Sequence, residues 1–206
     1  IGIIWIDNPP VNAISHAVRE GLIKAVENAS KDSEIKGLVL ACRGRTFMAG
    51  ADITEFASGV KPPWLGEVID TMSESSKVIV AAIFGPTFGG GLEVALGCNY
   101  RIADSNTKIG LPEVKLGIIP GAQGTQRLSR VSSVEFALKL ATLGNPVGAQ
   151  EALEAGAIDK ISNGELIDDA VSYAEELLKN NAPLKKSHTL STVSYTHLTL
   201  PTRYRV

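Results

Sequence analysis

The chain has only two cysteines, Cys42 and Cys98, in 206 residues. Both fall in apolar runs that read as strands, and neither has a histidine close by in sequence. Such thiols read as buried and reduced. That argues against a zinc site or a thiol nucleophile. Histidine is as scarce. His16 lies in the first predicted helix, and His188 and His197 lie near the C-terminus. An excess of one charge is also lacking. Twenty Lys and Arg against 22 Asp and Glu leave a net charge of −2 and a pI near 6.0. There is no basic run, so nucleic acid is not an expected partner. No apolar run reaches the roughly 18–20 residues of a membrane-spanning helix, and no membrane association is expected. The glycine loops carry neither GxGxxG nor a following GKS or GKT, which removes the common phosphate-binding signatures and NAD with them. The chain opens on Ile1 inside a predicted strand rather than on Met, so its N-terminus is expected to be incomplete. The absence of a leader therefore carries no weight.

What is present suits one domain with a sizeable core, since 44% of the residues are hydrophobic. Residues 1–7 read as a strand, broken by Asn8-Pro9-Pro10. Ser15 is placed to cap a helix to about Ala29, with Val18, Leu22, Ala25, Val26 and Ala29 as its apolar stripe. GLVLAC, Gly37–Cys42, is a continuous apolar run of the kind buried on both faces of a sheet. Residues 62–77 have helical spacing, and 78–84 form a second buried run. Short strands are expected at 98–103 and Lys108–Gly110. Helices follow from about Thr125, from a capping box of Ser132 and Glu135, and over 150–155. Residues 157–161 suggest a strand before a last helix carrying Leu166, Ala170, Tyr173, Ala174 and Leu177. Repeated strand–helix units predict an α/β fold. From about Ser187 the periodicity stops, and STVSYTHLTLPTRYRV resembles translated adapter sequence. Residues 185–206 are accordingly expected to be a non-native or disordered tail, leaving a domain over 1–184.

Two junctions carry chemical interest. Small residues precede a helix at Ala49, Gly50 and Ala51, with Asp52 as a cap and Glu55 three residues on. Three glycines, Gly89, Gly90 and Gly91, follow the second buried run. Backbone amides from two such loops can point at one oxygen and stabilise an oxyanion. Glu93 follows the glycines and Glu113 follows Pro112. Paired carboxyls beside an oxyanion site suit proton transfer next to a carbonyl. A glutamate is ordinarily a solvated surface group. Glu93 is the exception, because Leu92, Val94, Ala95 and Leu96 surround it.

FMAGADITEF, GGGLEVALGCNYRIAD and GLPEVKLGIIPGAQGTQRL, in that order, resemble the hallmark segments of the enoyl-CoA hydratase/isomerase (crotonase) family. NPPVNAIS and ALEAGAIDKI also fit, and the likeness covers about residues 1–184. It looks closest to the N-terminal hydratase/isomerase domain of multifunctional β-oxidation enzymes. The resemblance implies a spiral of repeated ββα units, with the C-terminal helices truncated. It implies oxyanion donors at the amides of Ala51 and Gly90. Glu93 would position and deprotonate water, Glu113 would give a proton to Cα, and the Gly121 amide would help hold the water. Ala49, Asp52 and Ile53 would meet coenzyme A, which is part of the substrate; no permanently bound cofactor or metal is implied. The implied reaction is syn-hydration of a trans-2-enoyl-CoA. Alternatives are Δ3,Δ2-isomerisation and a non-catalytic acyl-CoA-binding fragment. The implied partners are two further copies in a homotrimer or a fused 3-hydroxyacyl-CoA dehydrogenase domain. The setting would be cytoplasmic in a bacterium, and peroxisomal or mitochondrial in a eukaryote.

Overall fold

The computed structural model describes residues 1–55 and 59–191. In chain order the elements are β1 (Gly2–Ile6), α1 (His16–Lys31), β2 (Gly37–Cys42), α2 (Leu65–Ser73), β3 (Val78–Ile83) and β4 (Pro86–Phe88). Then come α3 (Gly90–Gly97), β5 (Tyr100–Ala103), β6 (Lys108–Gly110) and a 3-10 turn (Pro112–Leu116). The chain continues through α4 (Gly124–Val131), α5 (Val134–Leu143), β7 (Val147–Gly148), α6 (Ala149–Glu154), β8 (Lys160–Ile161) and α7 (Leu166–Lys179).

The main sheet has the order β1-β2-β3-β5-β8 and all its pairs are parallel. β2 and β3 are buried along their whole length, as their unbroken apolar runs require. Successive side chains alternate faces. Leu38, Leu40, Ile79 and Ala81 enter the core under α1, α2 and α3, while Val39, Ala41, Val80 and Ala82 pack against Ala170, Ala174 and Leu177 of α7. A second sheet runs β4-β6-β7. The chain passes from β3 to β4 and then into α3, and from β5 to β6 and then into the 3-10 turn. Each passage adds one strand to each sheet, which is the repeated ββα spiral.

Several local expectations change. Ser133, not Ser132, caps α5, its Oγ accepting from the Phe136 amide at 3.1 Å. Ser132 Oγ instead donates to Leu128 O. Cys98 ends α3 rather than lying in a strand, and its burial pushes the thiol up to about 12. The strand expected at 157–161 shrinks to Lys160–Ile161. β4 and β7, two or three residues long, had no periodicity to betray them. The buried stripe of α1 is Arg19, Leu22, Val26 and Ala29, so a charged residue holds a core position.

The first residues beyond the boundary expected after residue 184 make contacts of their own. Lys185 to Leu190 lie against the body: Ser187 is 2% exposed, its Oγ donates to Leu96 O at 2.7 Å, and it accepts from Arg127. Leu190 O accepts from Arg130, and Lys185 pairs with Asp159. Residues 192–206 lie outside the described residues. Ending the chain at Leu184 removes these contacts and leaves buried Arg127 short of an acceptor. The melting temperature is expected to fall by roughly 5 °C; an unchanged melting curve would show that the segment contributes nothing.

Candidate active site

The β4–α3 junction turns within one residue. Gly89 adopts φ +51, which glycine alone takes without strain. A side chain there would also collide with Glu113, its Cβ falling 2.9 Å from Oε1. Gly91 answers a different need. A Cβ on it would lie 2.1 Å from Met48 O, so only hydrogen lets α3 approach the loop before Ala51. Gly90 sits between these two constraints and opens onto a cavity of about 270 Å³.

On the opposite wall, Ile14 and Ala51 form an isolated parallel bridge. Ile14 N donates to Gly50 O, and Asp52 N donates to Ile14 O. The pattern leaves the Ala51 amide facing the other way, toward Gly90: a Cβ on Gly90 would lie 3.3 Å from Ala51 N. Among the described residues neither the Ala51 nor the Gly90 amide has an acceptor. The first amides of a helix have no partner within it and favour negative charge, and Gly90 opens α3.

Both carboxyls reach this cavity. Glu93 is only 2% exposed. Its Oε1 accepts from the amides of Ala122 and Gly124, each at 2.8 Å. Burial nevertheless dominates, and with the nearby Glu113 charge it outweighs those amides, raising the Glu93 carboxyl to about 7. Glu113, at the start of the 3-10 turn, is raised by burial as well. Its Oε2 is buried without a hydrogen-bond partner among the described residues, so it is free to meet a ligand.

The cavity thus gathers Glu93, Glu113, Ala51, Gly90, Gly121 and Asp52. Ala49 and Ile53 do not line it, and Ile53 is exposed. Gly121 borders the space, but the amides that hold Glu93 belong to its neighbours Ala122 and Gly124. Asp52 Oδ1 accepts from the amide and hydroxyl of Thr54, and these bonds hold its carboxyl below the usual range. Glu55 turns away from the cap toward α1, accepting from His16 N and pairing with Arg19.

Three parts of the site escape sequence reading. Ala122 and Gly124 act through backbone, which no residue type announces. Arg19 lines the cavity and holds Lys61 O and Pro63 O; its signal was a charge at a core spacing of α1. Trp64 and Leu65 form an apolar wall, although they read only as a helical stripe.

Known proteins resemble this chain in sequence and in fold. The chain is 43% identical over 194 residues to the peroxisomal bifunctional enzyme of Cavia porcellus, covering 93% of the chain and 26% of that protein. It therefore spans about a quarter of the length of the bifunctional relatives it matches. A probable enoyl-CoA hydratase of Bacillus subtilis is 37% identical over 190 residues, covering 88% of the chain and 74% of that protein. The solved structure of DspI from Pseudomonas aeruginosa superposes with a TM-score of 0.81 at 32% identity, covering 86% of this chain and 71% of that one. Residues 1–202 match the family described as Enoyl-CoA hydratase/isomerase, and the chain belongs to that family.

Proposed function

We propose that the chain hydrates trans-2-enoyl thioesters of coenzyme A reversibly, to 3-hydroxyacyl-CoA, as a step of fatty-acid β-oxidation. The observation that carries this reading is the pair of buried carboxyls, both with raised proton affinity, on one cavity beside two amides that have no acceptor among the described residues. The thioester oxygen accepts from the Ala51 and Gly90 amides. Ionised Glu93 takes a proton from water as the water oxygen bonds to C3. The C2–C3 π pair moves toward the carbonyl as an enolate, whose charge the amides stabilise. The enolate pair then takes the Glu113 proton at C2. Water is added across the double bond, with its two parts delivered by groups lining the same cavity. Glu93 ends protonated and Glu113 ionised, and proton exchange with solvent resets them. Gly121 would border the bound water. The segment carrying Ala49, Asp52 and Ile53 would face the CoA end, and Trp64 and Leu65 the acyl end.

The same carboxyls favour a second activity, moving a double bond from position 3 to position 2. That too is removal and return of protons around an enolate. Exposed Leu116, Ile119, Leu138 and Leu143 support assembly, either as a homotrimer or against a fused dehydrogenase domain. The named relatives support a peroxisomal or bacterial setting. No helix of the described residues is long and apolar enough to cross a membrane.

The test follows the loss of enoyl absorbance with crotonyl-CoA. Wild type is expected to turn over, and Glu113→Gln to be slower by roughly 100- to 10,000-fold. Acyl-CoA that raises the melting temperature of wild type without any hydration would sink the catalytic reading and leave a binding fragment.

A further inference from the structure

The two amides that hold Glu93 flank one residue, Gln123. It is a non-glycine residue in the left-handed region, at φ +77, a conformation that persists only when its surroundings fix it. Its side chain shows what fixes it. Nε2 donates to both oxygens of Asp70, at 3.0 and 3.1 Å, and Oε1 accepts from Arg127 Nε at 2.9 Å. Arg127 closes the ring by donating to Asp70 Oδ1 at 2.8 Å. Its other nitrogen donates to Ser73 and Ser187, and its side chain is fully buried. Asp70 and Ser73 belong to α2 and Arg127 to α4, so the ring pins the turn between Ala122 and Gly124 onto α2. The fit at Gly124 is tight as well, since a Cβ there would lie 2.8 Å from Glu93 Oε1. A turn this close to the carboxylate has little freedom to drift without changing the hydrogen bonds.

We propose that Gln123 is a positioning residue for the reaction: through Asp70 and Arg127 it aims the Ala122 and Gly124 amides at Glu93 and so sets where that carboxylate sits and how readily it ionises. This rests on the hydratase reading for its catalytic meaning but not for its physical content. The amides favour ionised Glu93, so loosening them raises its proton affinity. The other charges around Glu93 are Glu113 across the cavity and Arg19, Asp52 and Glu55 on its walls. Behind the turn stand Asp70 and Arg127, with Glu74 and His188 next to them. Changing Gln123 removes none of these charges; Asp70 and Arg127 lose its hydrogen bonds and keep their own ion pair.

The test is Gln123→Gly. Glycine takes the left-handed turn freely, so the variant folds while the ring is lost. Glu93 is titrated by carboxyl infrared or carbon NMR, with Glu93→Gln used to assign the signal. The midpoint is expected to rise by about half a unit or more, and kcat at neutral pH to fall by roughly tenfold with KM within about twofold. Gln126→Gly is exposed on the same helix outside the ring, and is the control for helix destabilisation; its Glu93 midpoint is expected to match wild type. A Gln123→Gly midpoint equal to that of wild type overturns the proposal, as does an equal rise in Gln126→Gly. If wild type does not hydrate enoyl-CoA but the midpoint still rises only in Gln123→Gly, the hydratase reading falls and the positioning of Glu93 stands.

Discussion

Glu93→Gln is expected to be nearly inactive and yet more stable than wild type at pH 8. In the proposed hydration the activity loss, roughly 100- to 10,000-fold, follows from removing the group that would accept the proton of water. The stability gain follows from the raised proton affinity of the buried carboxyl. Its folded value is about 7 against 4.5 for the free side chain. Between those two pH values the unfolded chain has released a proton that the folded chain still holds. Unfolding therefore releases a proton, and stability falls as pH rises through this window. Above pH 7 the penalty is complete and amounts to about 3 kcal/mol. Glutamine never ionises, and its carbonyl oxygen can still accept from Ala122 and Gly124. For a chain of this size the gain corresponds to roughly 8 °C at pH 8 and shrinks toward nothing as the pH falls below 5. Thermal melts of both proteins across that range check the sign. A variant that melts at or below wild type at pH 8 would show that burial does not penalise this charge. The same profile predicts that wild-type kcat/KM rises with pH around 7, as Glu93 becomes a base.

Two adjacent glycines are expected to fail in opposite ways when changed to alanine. In Gly91→Ala the new methyl meets Met48 O at 2.1 Å and Met48 C at 2.8 Å. These are backbone atoms, and Met48 O is already held by the Phe88 amide. Helix and loop must separate, so the variant is expected to lose several kcal/mol of stability, or to be insoluble. In Gly90→Ala the contacts are the Leu65 side-chain end at 3.0 Å, with Ile14 Cδ1 and Ala51 N at 3.3 Å. Side chains can yield, so this variant is expected to fold. Its methyl, however, stands in the space between the two amides where a thioester oxygen would sit. Turnover is expected to drop by roughly 100- to 1000-fold, the scale of a lost oxyanion donor. Circular dichroism, melting curves and the crotonyl-CoA assay together separate the cases. A stable, active Gly90→Ala would remove the oxyanion role from this pair of amides.

These predictions draw unequally on what could be read beforehand. Gly37–Cys42 and Lys108–Gly110 were legible because their side chains carry the signal. So was the junction at Gly89–Gly91 with a glutamate stranded among apolar residues. The meaning of the three glycines was only partly legible. One faces the carboxyl of Glu113, one opens the cavity and one clears Met48, and those neighbours come from distant parts of the chain. Ala122 and Gly124 were invisible because what matters is the direction of an amide, not the side chain it belongs to. Arg127 looks like a surface residue of an amphipathic helix until its burial is known, and for Arg19 a core spacing on α1 is the one hint. The segment after residue 184 misled because it has no periodicity. Its described residues, 185–191, pack through the Ser187 hydroxyl, the Leu190 carbonyl and the ion pairs of Lys185 and Lys186 rather than through an apolar face.

That segment has a consequence for the order of assembly. Ser187 bonds to Leu96, 91 residues earlier, and to Arg127, 60 residues earlier. Asp70 and Gln123 are 53 residues apart. Contacts of such long sequence separation form late and slowly. A growing chain that has reached α7 already contains both glutamates and the two amides proposed to hold the thioester oxygen. It still lacks the serine that completes the hydrogen bonds of Arg127, and Arg127 steadies the turn beneath Glu93. Binding competence and a correctly tuned base are therefore expected to mature at different times during synthesis, with the chemistry the last to arrive.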